Sequence, residues 1–174
     1  MEEQYPASGA NTHSASVDWP RFVALVQSCR QFLLTTHIRP DCDALGSTLA
    51  MAEILEQRGG EVAIVTAFDV PPRFQFLDPE KRIRRLGRDV TLDRLPPFDL
   101  LMVLDTSAWA QLGDMGDVIR STTARKAVLD HHVSSDDLGA EVFRDTGAEA
   151  AGRLVYDAGE HLGTNLTPRI ATLL

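Results

Sequence analysis

The segment LLTTHIRPDCDALGS, residues 33–47, places His37, Asp41 and Asp43 within seven positions. Further along, the apolar run of VLDTS ends in Asp105, and that of VLDHH ends in Asp130, His131 and His132. Imidazole nitrogen mixed with several carboxylate oxygens suits Mn²⁺ or a similar hard-to-borderline divalent ion, because softer metals recruit cysteine. Two ions would need a shared carboxylate at a separation of about 3.5–4 Å, and Asp105, alone at the end of its run, is the natural bridge. Each residue also has an ordinary use. Asp43 could cap a following helix, Asp105 could cap a turn with Thr106 and Ser107, and Asp130 could hold a histidine without touching metal.

The elements that must position these residues decide between the two readings. VDWPRFVALVQSCR predicts a first helix, with Asp18 as cap, Pro20 in the first turn, and Phe22, Leu25, Val26 and Cys29 at helical spacing. QFLLTTH is short, apolar and partly β-branched, which predicts a buried strand. DALGSTLAMAEILEQRGG predicts a helix with Leu45, Leu49, Ala52 and Leu55 on one face, stopped at Gly59-Gly60. EVAIVTAF, FDLLMVLDTS, KAVLDHH and EVFRD predict further strands; GDMGDVIRST, GAEAAGRLVYDAGEHLG and LTPRIATLL predict helices, the last with Thr167 as cap. Alternating strands and helices imply an α/β fold, a mostly parallel β-sheet flanked by helices. All three clusters then fall at carboxyl ends of parallel strands, the edge where open α/β sheets bind ligands. Three strands delivering the same chemistry to one edge favour the metal reading over separate caps. Pro40 is expected to push Arg39 into an extended conformation and delay the helix, so that Asp41 and Asp43 project toward the strand end and Cys42 turns away.

Residues 1–16, rich in Ser, Ala, Asn and Gly, predict a disordered tail, with 17–174 forming one domain. The net charge of −8 argues against a broad basic face for long nucleic acid, though not against a small phosphorylated substrate. The basic cluster EKRIRRLGRD (Lys81, Arg82, Arg84, Arg85, Arg88) reads as a solvated surface segment. Cys29 and Cys42 read as free thiols, the first in a helix core. His13 and His161 read as surface histidines. With no apolar stretch near the roughly 18 residues a membrane crossing needs, and no signal-peptide pattern, the cytoplasm is the expected location.

HIRPDCDALGS, VLDTS and VLDHH resemble the first three motifs of the DHH phosphoesterases, and within them the branch of nano-RNases and 3′-phosphoadenosine 5′-phosphate (pAp) phosphatases. The resemblance runs from about residue 17 to the end and implies hydrolysis of phosphate esters with paired Mn²⁺ ions, on a short oligonucleotide or phosphorylated nucleotide, with no long duplex and no membrane partner; a homodimer stays open. It implies that His37, Asp41 and Asp105 hold one ion, that Asp43, Asp105 and His131 hold the second, that Asp130 steadies the cluster, and that His132 contacts the scissile phosphate. The family usually has glycine where this chain has Cys42. Its fourth motif, an aspartate after a helix like LTPRIATLL, and its C-terminal substrate-binding domain are not found within these residues. Asp145 in RDTGAE precedes the Ala-rich helix and is expected to cap it instead. The resemblance therefore implies an N-terminal domain incomplete at its C-terminal end, weakly active or inactive alone. The alternatives are a pyrophosphatase or short-chain polyphosphatase of the same superfamily, and a nucleotide-binding regulatory module without turnover.

Overall fold

A computed structural model describes residues 17–174; the expected tail at 1–16, with His13, lies outside the described residues. The strands are β1 (Gln31–Thr35), β2 (Glu61–Thr66), β3 (Ile83–Arg85), β4 (Leu100–Leu104), β5 (Arg125–Asp130) and β6 (Glu141–Arg144). They form one sheet in the order β3-β2-β1-β4-β5-β6, every pairing parallel. The helices are α1 (Trp19–Gln27), α2 (Cys42–Gln57), α3 (Met115–Ser121), α4 (Ala151–Leu162) and α5 (Pro168–Leu173). The predicted α/β class holds, and so do the caps of α1 and α5: Asp18 accepts from Arg21 N–H and Thr167 from Ile170 N–H.

One face of the sheet carries the larger core, where Phe22, Leu34, Leu49, Met102, Phe143 and Leu154 meet. On the other face, Leu33, Val65, Val103 and Val128 pack against Leu112, Met115 and Ile119. Burial on both faces explains why the central strands read as unbroken apolar runs. Helix α2 departs from its predicted single face. Ala44 to Ala52 are all buried, because α2 contacts the sheet on one side and both α4 and α5 on the other.

Four local expectations are corrected. The basic segment is not just solvated surface: it contains β3, an edge strand too short and too charged to show the usual pattern, and Arg82, Arg85 and Arg88 are paired. Arg82 binds Glu53 and Glu56 at 2.7 and 2.5 Å, while Arg85 and Arg88 share Asp69. Arg39 is not extended but left-handed, with φ +53°; Pro40 disfavours the right-handed region, and the short loop from β1 into α2 reverses by taking a positive φ. Cys29 lies beyond the end of α1, half-buried, rather than within the helix; it and the exposed Cys42 are both free thiols, as expected. Asp145 does not cap α4. Its Oδ1 accepts from Gly147 N–H, and the cap comes from Asp43, as described below.

At the opposite edge, Asp99 Oδ2 accepts from Arg30 and Gln31 N–H, both at 2.9 Å, tying the start of β4 to the start of β1. Those two donors hold the Asp99 carboxyl below its ordinary range. A depressed folded-state pKa stabilises the protein above the unfolded pKa, and the effect is lost as pH falls through the folded value. Asp99→Ala should therefore lower the midpoint of thermal unfolding at neutral pH, and the gap to wild type should close in acid below the ordinary aspartate range. A gap of constant size across that range would contradict the assignment.

Candidate metal centre

The carboxyl ends of β1, β4 and β5 converge on an open cleft of about 500 Å³ lined by His37, Asp41, Asp43, Asp105, His131 and His132, together with Gln111 and Ser134. A larger cavity of about 730 Å³ lies at the opposite edge, around Pro97, Asp99 and Arg125. It carries no comparable set of donors, so chemistry rather than volume picks out the site.

Asp105 sits at the centre. It follows β4 with φ +61°, a left-handed conformation that aspartate tolerates better than most side chains. Its own N–H still pairs with the Leu129 carbonyl of β5 at 3.0 Å, so the backbone turns without leaving the sheet. The residue is 2% exposed, and its Oδ1 is buried without a hydrogen-bond donor among the described residues. Leaving such an oxygen unmatched costs on the order of 1–3 kcal/mol.

Two histidines face this carboxylate. His37 Nδ1 lies 2.8 Å from the Ile38 carbonyl and His131 Nδ1 lies 3.3 Å from the Ala148 carbonyl. A carbonyl can only accept, so each ring carries its proton on Nδ1 and, when neutral, presents a bare Nε2. Those Nε2 atoms stand 3.4 Å from Asp105 Oδ2 and 3.4 Å from Asp105 Oδ1, respectively. Anchoring the far nitrogen on a carbonyl is the usual way a metal-ligating imidazole is held.

The charges respond to this crowding. Burial raises the Asp105 carboxyl above its ordinary range; the His37 interaction opposes the rise and the charges of Asp43 and Asp41 add to it. Burial works against a charged His37, but the Asp105 carboxylate, the Ile38 carbonyl and the charge of Asp41 outweigh it, and the ring is raised above its ordinary value. Without a cation, the site thus draws protons toward its centre.

The remaining residues divide by task. Asp41 caps α2, its Oδ1 accepting from Ala44 N–H at 3.0 Å; that is the role left open above for Asp43. Asp43 instead reaches across to α4, whose N-cap position, Ala150, has no side chain able to cap it. Its Oδ2 accepts from Ala151 N–H and its Oδ1 from Gly152 N–H, both at 2.8 Å. Asp43 Oδ2 is also 3.7 Å from His131 Nε2. Asp130 is wholly buried; its Oδ1 accepts from His132 Nδ1 at 2.8 Å and from His132 N–H at 3.2 Å, and its Oδ2 from the Ser107 hydroxyl at 2.7 Å. The turn after Asp105 is closed by Thr106, whose Oγ1 accepts from Ala108 N–H.

Donor atoms of His37, Asp41 and Asp105 lie within 4.8 Å of one another, and so do those of Asp105, His131 and His132. Asp105 is common to both groups. The second differs from the expected set in having His132 in place of Asp43, but the His132 nitrogen near Asp105, at 3.8 Å, is the one already committed to Asp130. Sequence reasoning gave Ser107 no part beyond a turn; the small hydroxyl residue two places after Asp105 in VLDTS is the only signal that could have pointed to it.

An all-parallel α/β sheet with a histidine–carboxylate cleft at its carboxyl edge defines the class of protein. Residues 31–174 match the DHH family, N-terminal domain, and the chain belongs to that family. It is 29% identical over 140 residues to the bifunctional oligoribonuclease and PAP phosphatase NrnA of Thermus thermophilus, covering 80% of this chain and 39% of the relative. To the NrnA of Bacillus subtilis it is 26% identical over 145 residues, 82% of this chain and 43% of the relative. The chain thus spans about two fifths of the length of these curated relatives. Among solved structures, an exopolyphosphatase-related protein from Bacteroides fragilis superposes with a TM-score of 0.73 at 20% identity, over 83% of this chain and 43% of that one. RecJ from Thermus thermophilus, solved in complex with Mn²⁺, superposes with a TM-score of 0.51 at 17% identity, over 92% of this chain and 24% of that one. No helix among the described residues is long and apolar enough to cross a membrane.

Proposed function

We propose that the cleft binds divalent cations, Mn²⁺ among them, and that the domain takes part in hydrolysing phosphoester bonds of short oligonucleotides or of pAp. The observation that carries this reading is the buried, donorless Oδ1 of Asp105 with the bare imidazole nitrogens of His37 and His131 turned toward the same carboxylate. A cation between them would match the orphaned oxygen and remove the repulsion among Asp41, Asp43 and Asp105. The names of the NrnA relatives support the substrate class.

In this reading His37, Asp41 and Asp105 hold one ion, and Asp105 and His131 hold the second with Asp43, whose oxygens each keep a lone pair beyond the α4 bonds. Such ions supply Lewis-acid charge and an acidified water. The chain's own residues do the rest. Asp105 ties the two positions together. His132, half-exposed and held through Nδ1 by Asp130, would offer Nε2–H to a phosphate oxygen at the cleft when its ring is protonated on both nitrogens. Uncompensated, the carboxylates would repel an anionic substrate.

Titration of the EDTA-stripped protein with Mn²⁺ should show binding by calorimetry. At about 100 times Kd the ion should stabilise the fold by about 2.7 kcal/mol, or about 5–11 °C in Tm for a domain of this size. With Mn²⁺ present, whatever weak hydrolysis these residues support should release mononucleotide from a ribodinucleotide or phosphate from pAp in preference to cleaving pyrophosphate. No divalent binding would refute the reading; preference for pyrophosphate would move the substrate to the inorganic class.

A further inference from the structure

We propose that Ser107 is a positioning residue for His132, acting through the buried Asp130. What His132 does for a substrate rests on the function proposed above; how its ring is held does not.

Asp130 is a carboxylate in the wrong place for a ligand. It is 0% exposed, belongs to neither group of donors that could surround an ion, and directs both oxygens elsewhere. One holds the Nδ1 and the backbone N–H of His132; the other holds the hydroxyl of Ser107, itself 1% exposed. Burying a charge is costly unless its lone pairs are matched, and the Ser107 hydroxyl is the single donor to Oδ2 among the described residues. With Oδ2 pinned, the carboxylate plane is fixed and Oδ1 points along one line to His132 Nδ1. The ring then carries its proton on Nδ1 and leaves Nε2 for the cleft that it lines.

The Ser107 hydroxyl is not needed to hold its own turn. The Ser107 carbonyl accepts from Asp136 N–H at 2.8 Å, Trp109 N–H donates to Asp136 Oδ2 at 2.8 Å, and Trp109 Nε1–H donates to the Asp137 carbonyl at 3.2 Å. Those bonds staple the loop after His132 onto the turn after Asp105 and survive loss of the hydroxyl. The one other acceptor near it, the Ser134 carbonyl, is at 3.5 Å. The hydroxyl therefore serves Asp130.

The test reads the His132 ring, in its neutral form, by ¹⁵N NMR in the metal-free protein. Wild type should show one tautomer, protonated at Nδ1. Ser107→Ala should show a mixture, and Ser107→Thr, which keeps the hydroxyl, should restore the single form. With Mn²⁺ and a ribodinucleotide, Ser107→Ala should lower kcat on the order of 10- to 100-fold while KM and Mn²⁺ affinity stay near wild type. Should Ser107→Ala not fold, Ser107→Cys, a near-isosteric weak donor, should give an intermediate mixture. A single Nδ1–H tautomer in Ser107→Ala or Ser107→Cys, or mixed tautomers in wild type, would overturn the proposal. A wild-type protein that binds no Mn²⁺ would overturn the functional reading alone, since the tautomer still decides what Ser107 does.

Discussion

Asp105→Asn is expected to lose divalent-ion binding at both positions and, with it, hydrolysis by a factor of about 1,000 or more, since the ions are asked for several kcal/mol of transition-state stabilisation. The same variant should be as stable as wild type, or more so, in the metal-free state. Burial and the neighbouring Asp43 and Asp41 hold the Asp105 carboxyl above its ordinary range. A folded pKa raised above the unfolded value means that stability falls as pH rises between the two, because the folded state then surrenders a proton it prefers to keep. Asparagine removes that charge and, at φ +61°, adopts the left-handed backbone nearly as readily as aspartate. Calorimetry with Mn²⁺ and thermal melts in EDTA should thus move in opposite directions. A variant that melts well below wild type in EDTA would mean that Asp105 is a structural residue; one that still binds Mn²⁺ at both positions would remove it from the centre of the site.

The second large effect is expected at Gly46. Alanine in place of glycine inside a helix ordinarily stabilises by about 1 kcal/mol. Here a β-carbon would overlap the Leu173 carbonyl oxygen of α5, and backbone cannot swing aside as a flexible side chain would. Overpacking of this kind costs about 3 kcal/mol, so the clash wins by about 2 kcal/mol, a fall of about 4–8 °C in Tm. Relief comes by lifting α5, which buries Ile170 and Leu173. Amides 170–174 should then lose protection in hydrogen exchange while those of β4 and β5 keep theirs. A Tm that rises, as helix propensity alone dictates, would show that α5 does not sit firmly on α2.

The meeting of three clusters was legible in the sequence because a parallel sheet puts every strand's carboxyl end on one edge: once LLTT, LLMVL and AVL were read as parallel strands, His37, Asp105 and Asp130 had to be neighbours. What could not be read are contacts set by tertiary placement. Asp43 lies 108 positions from Ala151, and locally it looks like a cap for α2, a task that falls to Asp41. Asp145 looked like the cap of α4 because it precedes that helix. The positive φ at Arg39 and Asp105 leaves no mark in composition, and β3 hides among arginines because an edge strand of three residues needs no apolar pattern.

The bond from Asp43 to the start of α4 has a further consequence for how the protein folds. With its N-terminal cap supplied by a residue 108 positions earlier, the start of α4 is fixed by tertiary contact, and the cleft is a structure of high contact order. No contiguous third of the chain holds it: the loop after β1, the turn after β4, the end of β5 and the first turn of α4 must all be docked before His131 faces Asp43. Chain-closure entropy has to be overcome before any of these contacts returns free energy. The cleft therefore forms with the global native state rather than ahead of it.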